Sequence, residues 1–332
     1  MIKHYDIVIS LGEFCLASWA LRNCHIQKES MPLDWSGGWS VEKAGKGGLS
    51  GKVNLICSRF DKAFELEDLV LLPGKETNTR HAAVHNNRTG LMYLHDFPLG
   101  TPIEEYYPEY KKKYQRRVDR FYEKINESGK VLFFFMSRSE KIEDDYIREQ
   151  SLKLREYFKG KHIDFLYIMH EPSVKESVFH YKLLAEGIHR YSMNVCYSPL
   201  PKDHADWGWG NRELYHPILK NFCYSTYTKE FFSAKSADKL DASDCYYKNL
   251  IMLANSIESE VPSELEEVLL SQKGEILRLQ QQADILKKRI SRPYLLIMVK
   301  YYGYRILKNI TFGVCREYCT RRCKEYNALL NI

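Results

Sequence analysis

The chain has 332 residues, of which 44% are hydrophobic and 28% are charged, as in an ordinary globular protein. Its formal net charge is +6, but residues 286–332 contain eleven Lys and Arg and two Glu, so the other 285 residues carry a net charge of −3. The body of the chain therefore lacks the basic stripe of a nucleic-acid-binding protein. Nine irregularly spaced cysteines, and a beginning without the apolar segment of a signal peptide, lead us to expect reduced thiols and a cytoplasmic protein.

The first predicted elements place a cysteine at the start of a helix. Residues 5–10 have the apolar pattern of a strand, and residues 15–23 carry apolar side chains along one helical face. Cys15 begins this helix, where backbone N–H groups and the helix dipole favour a thiolate. Cys15 is therefore a candidate nucleophile, with a small buried core residue as the plainer alternative.

The next elements are a loop, a hairpin and a helix. Residues 36–52 are rich in glycine and predict a loop. The pair Gly51-Lys52 does not make a phosphate-binding loop, because the glycine spacing is wrong and valine follows the lysine. Residues 81–86 and 91–97 flank a turn-forming segment and predict a β-hairpin, and residues 104–127 predict a long charged helix.

An alternation of apolar strands and helices follows. The predicted strands are 131–136, 163–169 and 192–198, and the predicted helices are 144–158 and 174–186. Continuous apolar strands that alternate with helices are typical of a sheet covered on both faces. The sequence therefore predicts an α/β fold with a largely parallel sheet, helices on both of its faces, an N-terminal hairpin region and a C-terminal coiled coil.

Polar side chains follow several of these strands. Arg138, His170 and the loop 199–211 come after successive predicted strands, and Cys15 follows the first strand in the same sense. Ligands bind beyond the carboxyl ends of parallel strands, so these residues are expected to share one edge of the sheet. Arg138 would hold an anionic substrate group there, or else form a surface ion pair.

The loop 199–211 combines acidic, amide and indole side chains. Its candidate substrate-binding residues are Asp203, His204, Trp207, Trp209 and Asn211. Asp203, His204 and Asp206 could also ligate a metal, but further ligands cannot be placed, so no metal is predicted.

Three motifs carry a resemblance to a known family. Leu11-Gly12, Cys15 and the segment 32–35 (Pro-Leu-Asp-Trp) form the first motif, and residues 94–97 (Leu-His-Asp-Phe) form the second. The third is an arginine-rich segment, 114–121, that leads to the apolar strand at 131–135. Over residues 5–220 the chain resembles the bacterial putative papain-like cysteine peptidase family.

The resemblance implies a thiol-dependent hydrolase or acyl transferase without a cofactor, acting on a peptide or glycan-linked substrate. Cys15 would be the nucleophile and His95 the general base, with Asp96 or a residue of the loop 203–211 orienting the base. The strand pattern equally allows His170 as the base. Asp34 and Trp35 are carried over as substrate-binding candidates, with a turn carboxylate beside a buried indole as the alternative.

Residues 256–292 have the heptad pattern of a coiled coil, followed by a basic amphipathic tail at 293–332. The apolar seam consists of Leu265, Leu269, Gln272, Ile276, Leu279, Ala283, Leu286 and Ile290. We expect residues 257–291 to form a homo-oligomer. We expect the tail to bind an anionic membrane surface, which would make the protein peripheral on the inner face of the membrane.

The segment 301–313 resembles the tails of bacterial surface-polysaccharide enzymes, which implies a role in polysaccharide assembly. Two alternative functions remain open at this point. One is a polysaccharide-modifying transferase that binds a sugar or nucleotide-sugar through Arg138 and the loop 199–211. The other is a non-enzymatic coiled-coil scaffold. The predicted α/β domain spans residues 1–255.

Overall fold

The secondary structure is taken from a computed structural model that describes most of the chain up to residue 251. The described residues are 2–13, 15–38, 47–75, 80–138, 142–202, 207–235, 239–241, 244–245, 247–249 and 251. The strands are β1 (Lys3–Tyr5), β2 (Ile7–Ser10), β3 (Ser36–Gly38), β4 (Leu69–Leu71), β5 (His81–Asn86), β6 (Leu91–Pro98), β7 (Lys130–Met136), β8 (His162–His170), β9 (Phe179–Ala185), β10 (Ile188–Met193) and β11 (Cys223–Ser225). The helices are α1 (Cys15–Asn23), α2 (Leu49–Cys57), α3 (Ile103–Glu127), α4 (Asp144–Tyr157), α5 (Arg212–Phe222) and α6 (Thr226–Ala234), with short 3-10 helices at Leu66–Asp68 and Trp207–Trp209.

A five-stranded mixed sheet forms the centre of the fold, in the order β2-β7-β8-β10-β9. The neighbours β2, β7, β8 and β10 are parallel, and β9 is antiparallel to β10. Strand β7 is a continuous apolar run because both of its faces are covered. Val131, Phe133 and Phe135 face the core that contains residues of α2, α3 and α4, whereas the alternate residues of β7 face a core with residues of α1 and α5.

A second, antiparallel sheet has the order β3-β6-β5-β4. Its β5–β6 hairpin confirms the hairpin predicted at 81–97. Gly90 occupies the left-handed region at φ 69° in the connecting turn, where glycine is favoured. A two-stranded parallel ladder joins β1 to β11.

The structure confirms the α/β class and corrects the prediction of a largely parallel sheet. Residues 174–186, predicted as a helix, contain strand β9 instead. A tight reversal at Gly187, with φ 67°, returns the chain as β10, so this pair is antiparallel. The second sheet is also antiparallel. Its strands β3 and β6 are far apart in the sequence, so a local hydrophobic pattern could not predict that they pair.

Two further predictions need correction. The predicted loop 36–52 contains strand β3 and the start of α2, because Leu49, Val53 and Ile56 recur on one helical face that the core buries. The strand predicted at 192–198 overlaps β10 (Ile188–Met193) at two residues, because the observed strand begins and ends earlier in the chain.

The predicted coiled coil at 256–292 and the basic tail at 293–332 lie outside the described residues. Among the described helices, none combines the length and the apolarity that crossing a bilayer requires.

Candidate active site

The carboxyl edge of the five-stranded sheet gathers loops from four parallel strands. Residues 11–13 follow β2 and lead into α1, Ser137 and Arg138 follow β7, β8 ends at His170, and β10 ends at Met193. Backbone hydrogen bonds hold these loops together, since Ser137 N donates to Ile168 O at 2.9 Å and Glu171 N donates to Met193 O at 2.8 Å. The structure therefore places three residues at one edge of the sheet: Cys15 at the start of α1, Arg138 after β7 and His170 at the end of β8.

Cys15 is the first residue of α1 and its side chain is partly buried. Burial raises the pKa of the Cys15 thiol, and the hydrogen bond from its own backbone N–H and the positive charge of Arg138 oppose this rise. At neutral pH the resting group is thus a protonated thiol. A reaction at this thiol requires a group that removes its proton as the sulfur attacks.

Arg138 links three of the loops at this edge. Its backbone N–H donates to Glu13 Oε2 at 2.8 Å, its Nη1 donates to Gly208 O at 3.2 Å, and its carbonyl accepts from Cys196 Sγ at 3.7 Å. Because its charge acts on both Cys15 and His170, it is the cation of the site.

His170 ends strand β8 and is partly buried, but its Nδ1 atom is fully buried without a hydrogen-bond partner among the described residues. Burial lowers the pKa of His170, and the charge of Arg138 lowers it further. The imidazole is therefore neutral at pH 7, the form that accepts a proton from a thiol.

His95 and Asp96 occupy different surroundings. His95 is exposed on β6 of the antiparallel sheet, with its ring centroid 6.1 Å from that of His81. Asp96 is buried and contacts α3: Lys113 Nζ lies 2.7 Å from Oδ1, and the Tyr114 hydroxyl donates to Oδ2 at 2.9 Å. Asp96 thus joins β6 to α3. Burial lowers the pKa of His95 and the charge of Asp96 opposes this fall, but among the described residues the carboxylate bonds α3 rather than the imidazole.

Asp34 is a fully buried turn carboxylate. It accepts from Met31 N at 2.7 Å and from Gln27 Nε2 at 3.0 Å. Burial raises the pKa of Asp34 to about 6, although these hydrogen bonds lower it. Trp35 Nε1 donates to Ser30 Oγ at 3.0 Å. Both residues thus hold the turn at 31–35.

The Asp34 carboxyl makes the stability of the fold depend on pH. A carboxyl whose pKa rises on folding contributes stability that is fully present below its unfolded pKa of 3.8 and is lost as the pH rises through about 6. We expect Asp34→Asn to remove about 3 kcal/mol of this pH dependence. Urea unfolding between pH 4 and pH 7 would measure it. The exposed Asp61→Asn control should keep the wild-type slope, and a wild-type slope in Asp34→Asn would contradict the prediction.

The loop 199–211 is described only in part. Asp203, His204 and Asp206 lie outside the described residues, and of Trp207 only the backbone is described, in a 3-10 helix. Trp209 stacks on Trp19 of α1, with ring centroids 4.3 Å apart.

Asn211 is buried at the end of this loop. Its amide donates to Glu176 O at 2.7 Å and to Asn194 O at 3.2 Å, so it fastens the loop to two neighbouring segments. Among the described residues, no group of three or more His, Cys, Asp or Glu is placed to hold a metal ion.

The sequence did not single out three residues that the structure brings to this edge: Glu13, Trp19 and Lys52. Glu13 binds the Arg138 backbone, and Lys52 of α2 reaches the loop before Cys15 from the other face of the sheet. Gly12 is the sequence signal that could have pointed to Lys52, because a glycine in a loop often marks a close approach of the backbone to another group.

The model of the putative papain-like cysteine peptidase family (DUF1796) matches residues 6–171. The chain belongs to this family. The match covers Cys15, His95, Arg138 and His170 and ends before the loop 199–211. An uncharacterized protein, R408, of Acanthamoeba polyphaga mimivirus is 27% identical over 189 residues, which cover 51% of this chain and 79% of the relative. No solved structure matches the chain. The bacterial origin and the polysaccharide context remain predictions for this family member.

Arg138 should make Cys15 prefer anionic reagents. We expect the ratio of the iodoacetate rate to the iodoacetamide rate to be higher at Cys15 than at Cys57, which is also partly buried but lies in α2. Arg138→Gln should lower the ratio at Cys15 and leave that at Cys57 unchanged, because the guanidinium attracts the carboxylate of iodoacetate. Peptide mass spectrometry measures both rates in one sample. An unchanged ratio at Cys15 in the variant would show that Arg138 does not act on an incoming anion.

Proposed function

We propose that this chain is a thiol-dependent hydrolase or acyl transferase with Cys15 as nucleophile and His170 as general base. The observation that carries the proposal is a partly buried thiol at the first residue of a helix, at the sheet edge where a neutral histidine and Arg138 also lie. Membership of the putative papain-like cysteine peptidase family supports the thiol chemistry. His170 is preferred to His95 because His95 is exposed on the other sheet.

The proposed reaction begins when Cys15 Sγ attacks a carbonyl carbon of the substrate and His170 accepts the thiol proton. The backbone N–H groups of Cys15 and Leu16, at the N-terminus of α1, stabilise the oxyanion that forms. The tetrahedral intermediate collapses, and the leaving group departs with the proton from His170. Water, or a second acceptor in a transferase, then attacks the thioester and releases Cys15.

The substrate in this proposal is a peptide or glycan-linked acyl group that carries an anion close to the reacting carbonyl. The guanidinium of Arg138 donates a hydrogen bond to the carbonyl of Gly208 through Nη1 at 3.2 Å. Its planar fork suits a carboxylate or phosphate group. Trp209, which follows Gly208 and stacks on Trp19 of α1, offers an aromatic surface next to the residue that Arg138 binds.

Acylation by p-nitrophenyl acetate tests the proposal. We expect a burst of p-nitrophenol and a transient acetyl group on the peptide that contains Cys15, with no acetyl group on the peptide that contains Cys57. Cys15→Ser should lose the burst and Cys57→Ser should keep it. An acetyl group distributed equally over the partly buried thiols would contradict the proposal.

We also propose that the C-terminal region forms a coiled coil followed by a membrane-binding tail. This proposal is supported by the heptad spacing at 257–291 and by the aromatic and basic composition of 293–332. On this proposal the protein forms a homo-oligomer and acts at the cytoplasmic face of an anionic membrane, in surface-polysaccharide assembly. Co-sedimentation with anionic vesicles should disappear when residues 292–332 are removed, and undiminished binding would contradict it.

A further inference from the structure

Lys52 is a completely buried lysine. It lies in α2, and its Nζ atom has no partner among the described residues. Burying an ammonium group is costly unless an opposite charge compensates it. Packing alone would favour methionine or leucine at this position, so the charge itself is the feature to explain.

The ammonium group of Lys52 lies directly against the loop that leads to Cys15. A β-carbon built on Gly12 would lie 3.3 Å from Lys52 Nζ and 2.9 Å from Leu33 O, and Gly12 has φ 61°. Only glycine fits this close approach without strain. On its other side, Nζ lies 6.0 Å from the centroid of the Phe135 ring. Lys52 therefore reaches from the α2 face of the sheet to the underside of the β2–α1 loop.

The acidic group that acts on Lys52 is Glu13, which is also buried. Burial lowers the pKa of Lys52 to about 8, and the negative charge of Glu13 opposes this fall, so the ammonium persists at pH 7. Glu13 Oε2 in turn accepts the hydrogen bond from Arg138 N at 2.8 Å. Glu13 thus stands between the two cations: it accepts a hydrogen bond from the backbone of Arg138, and its charge acts on Lys52 of α2.

We propose that Lys52 is a positioning residue of the Cys15 site, whose ammonium balances the buried Glu13 and thereby holds the β2–α1 loop against the backbone of Arg138. The proposal rests on the proposed function only for the statement that this loop presents a nucleophile. Lys52 touches no reacting atom in this proposal. It keeps Glu13 in place, and Glu13 keeps the two loops together.

Hydrogen exchange of the full chain tests the proposal through the backbone N–H of Arg138, which donates a hydrogen bond to Glu13 Oε2. We expect Lys52→Met to speed exchange of that amide by about tenfold or more, because the buried Glu13 carboxylate then loses the stabilising charge of Lys52 and leaves its position more often. The double variant Glu13→Gln with Lys52→Met should return to the wild-type rate, because a neutral amide needs no counter-charge and still accepts the hydrogen bond. The exposed Lys159→Met is the matched control and should behave as wild type.

Acylation of Cys15 is measured on the same four proteins. We expect its rate to fall in Lys52→Met and to recover in the double variant, a rescue that a packing role alone would not give. Wild-type exchange in Lys52→Met, or equally fast exchange in the double variant, would overturn the proposal. If Lys52→Met fails to fold, the double variant still tests the proposal. A double variant that folds supports the view that Lys52 balances the charge of Glu13, and one that does not fold overturns it. Lack of acylation in the wild-type protein would contradict the proposed function, whereas the exchange data would still judge Lys52.

Discussion

Replacing His170 by alanine is expected to slow the acylation of Cys15 by about 10²-fold or more at pH 7, whereas His95→Ala is expected to keep the wild-type rate. The reason is that the Cys15 thiol is protonated at this pH, and His170 is the neutral imidazole at the same edge of the sheet. Burst kinetics with p-nitrophenyl acetate measure the effect. His95 serves as the control because it is an exposed histidine on the other sheet, so its removal perturbs little packing.

The pH profile gives the same prediction a second readout. A rate that depends on neutral His170 rises with pH through the pKa of this group, below its ordinary value of 6.5, and then reaches a plateau. A thiolate that forms without help from His170 contributes to the acylation rate only at a pH above 9.0, the ordinary cysteine pKa, because burial raises the pKa of Cys15. His170→Ala should therefore lose the plateau and keep the alkaline limb. Loss of the plateau in His95→Ala, with His170→Ala unaffected, would assign the base to His95 and reject this account.

Replacing Asp96 by asparagine is expected to lower the free energy of unfolding by about 3 kcal/mol. Asp96 is buried between β6 and α3, where it pairs with Lys113 at 2.7 Å and accepts from the Tyr114 hydroxyl. Arg117 Nη1 lies 3.9 Å away. Removing the negative charge leaves two cations of α3 without their buried partner. Urea unfolding at pH 7 measures the loss.

The matched control for this experiment is Asp119→Asn, on the exposed face of the same helix. Asp119 accepts from Gln115 of the preceding turn, so its replacement should change stability by no more than about 0.5 kcal/mol. Acylation per folded molecule should stay at the wild-type level in Asp96→Asn, because the carboxylate stabilises the fold rather than orienting a base. A variant that keeps its stability but loses acylation would instead make Asp96 a positioning residue for His95.

The part of the fold that follows from local sequence was predicted well. The helix that begins at Cys15 and the β5–β6 hairpin each extend over a few residues, and hydrophobic periodicity or turn residues specify them directly. The apolar strand at 131–136 was also predicted, because a strand buried on both faces has no polar positions. For β9 the sequence was misleading, because residues 174–186 predicted a helix whereas Phe179–Ala185 form a largely half-buried or exposed strand.

The residues of the candidate site also fall into those that the local sequence predicted and those that it could not predict. The prediction that Cys15, Arg138 and His170 follow strands in the same sense came from sequence, because each residue lies next to its own strand. The sequence could not choose between His95 and His170. It left Asp96 of the His-Asp-Phe motif, or a residue of the loop 203–211, as the group that would orient the base. The partner of Asp96 lies 17 residues away on α3, so only the packing of that helix on β6 reveals its role.

The sequence by itself therefore determined the family motifs, the nucleophile candidate at a helix N-terminus and the run of elements from β5 to β8. The tertiary structure decided the direction of β9, the pairing of β3 with β6 and the place of Lys52 beneath the loop that precedes Cys15. The physical reason is the range of the interactions. Periodicity and capping act between residues a few positions apart, whereas strand register and the balance of buried charges depend on groups that only the packed chain brings together.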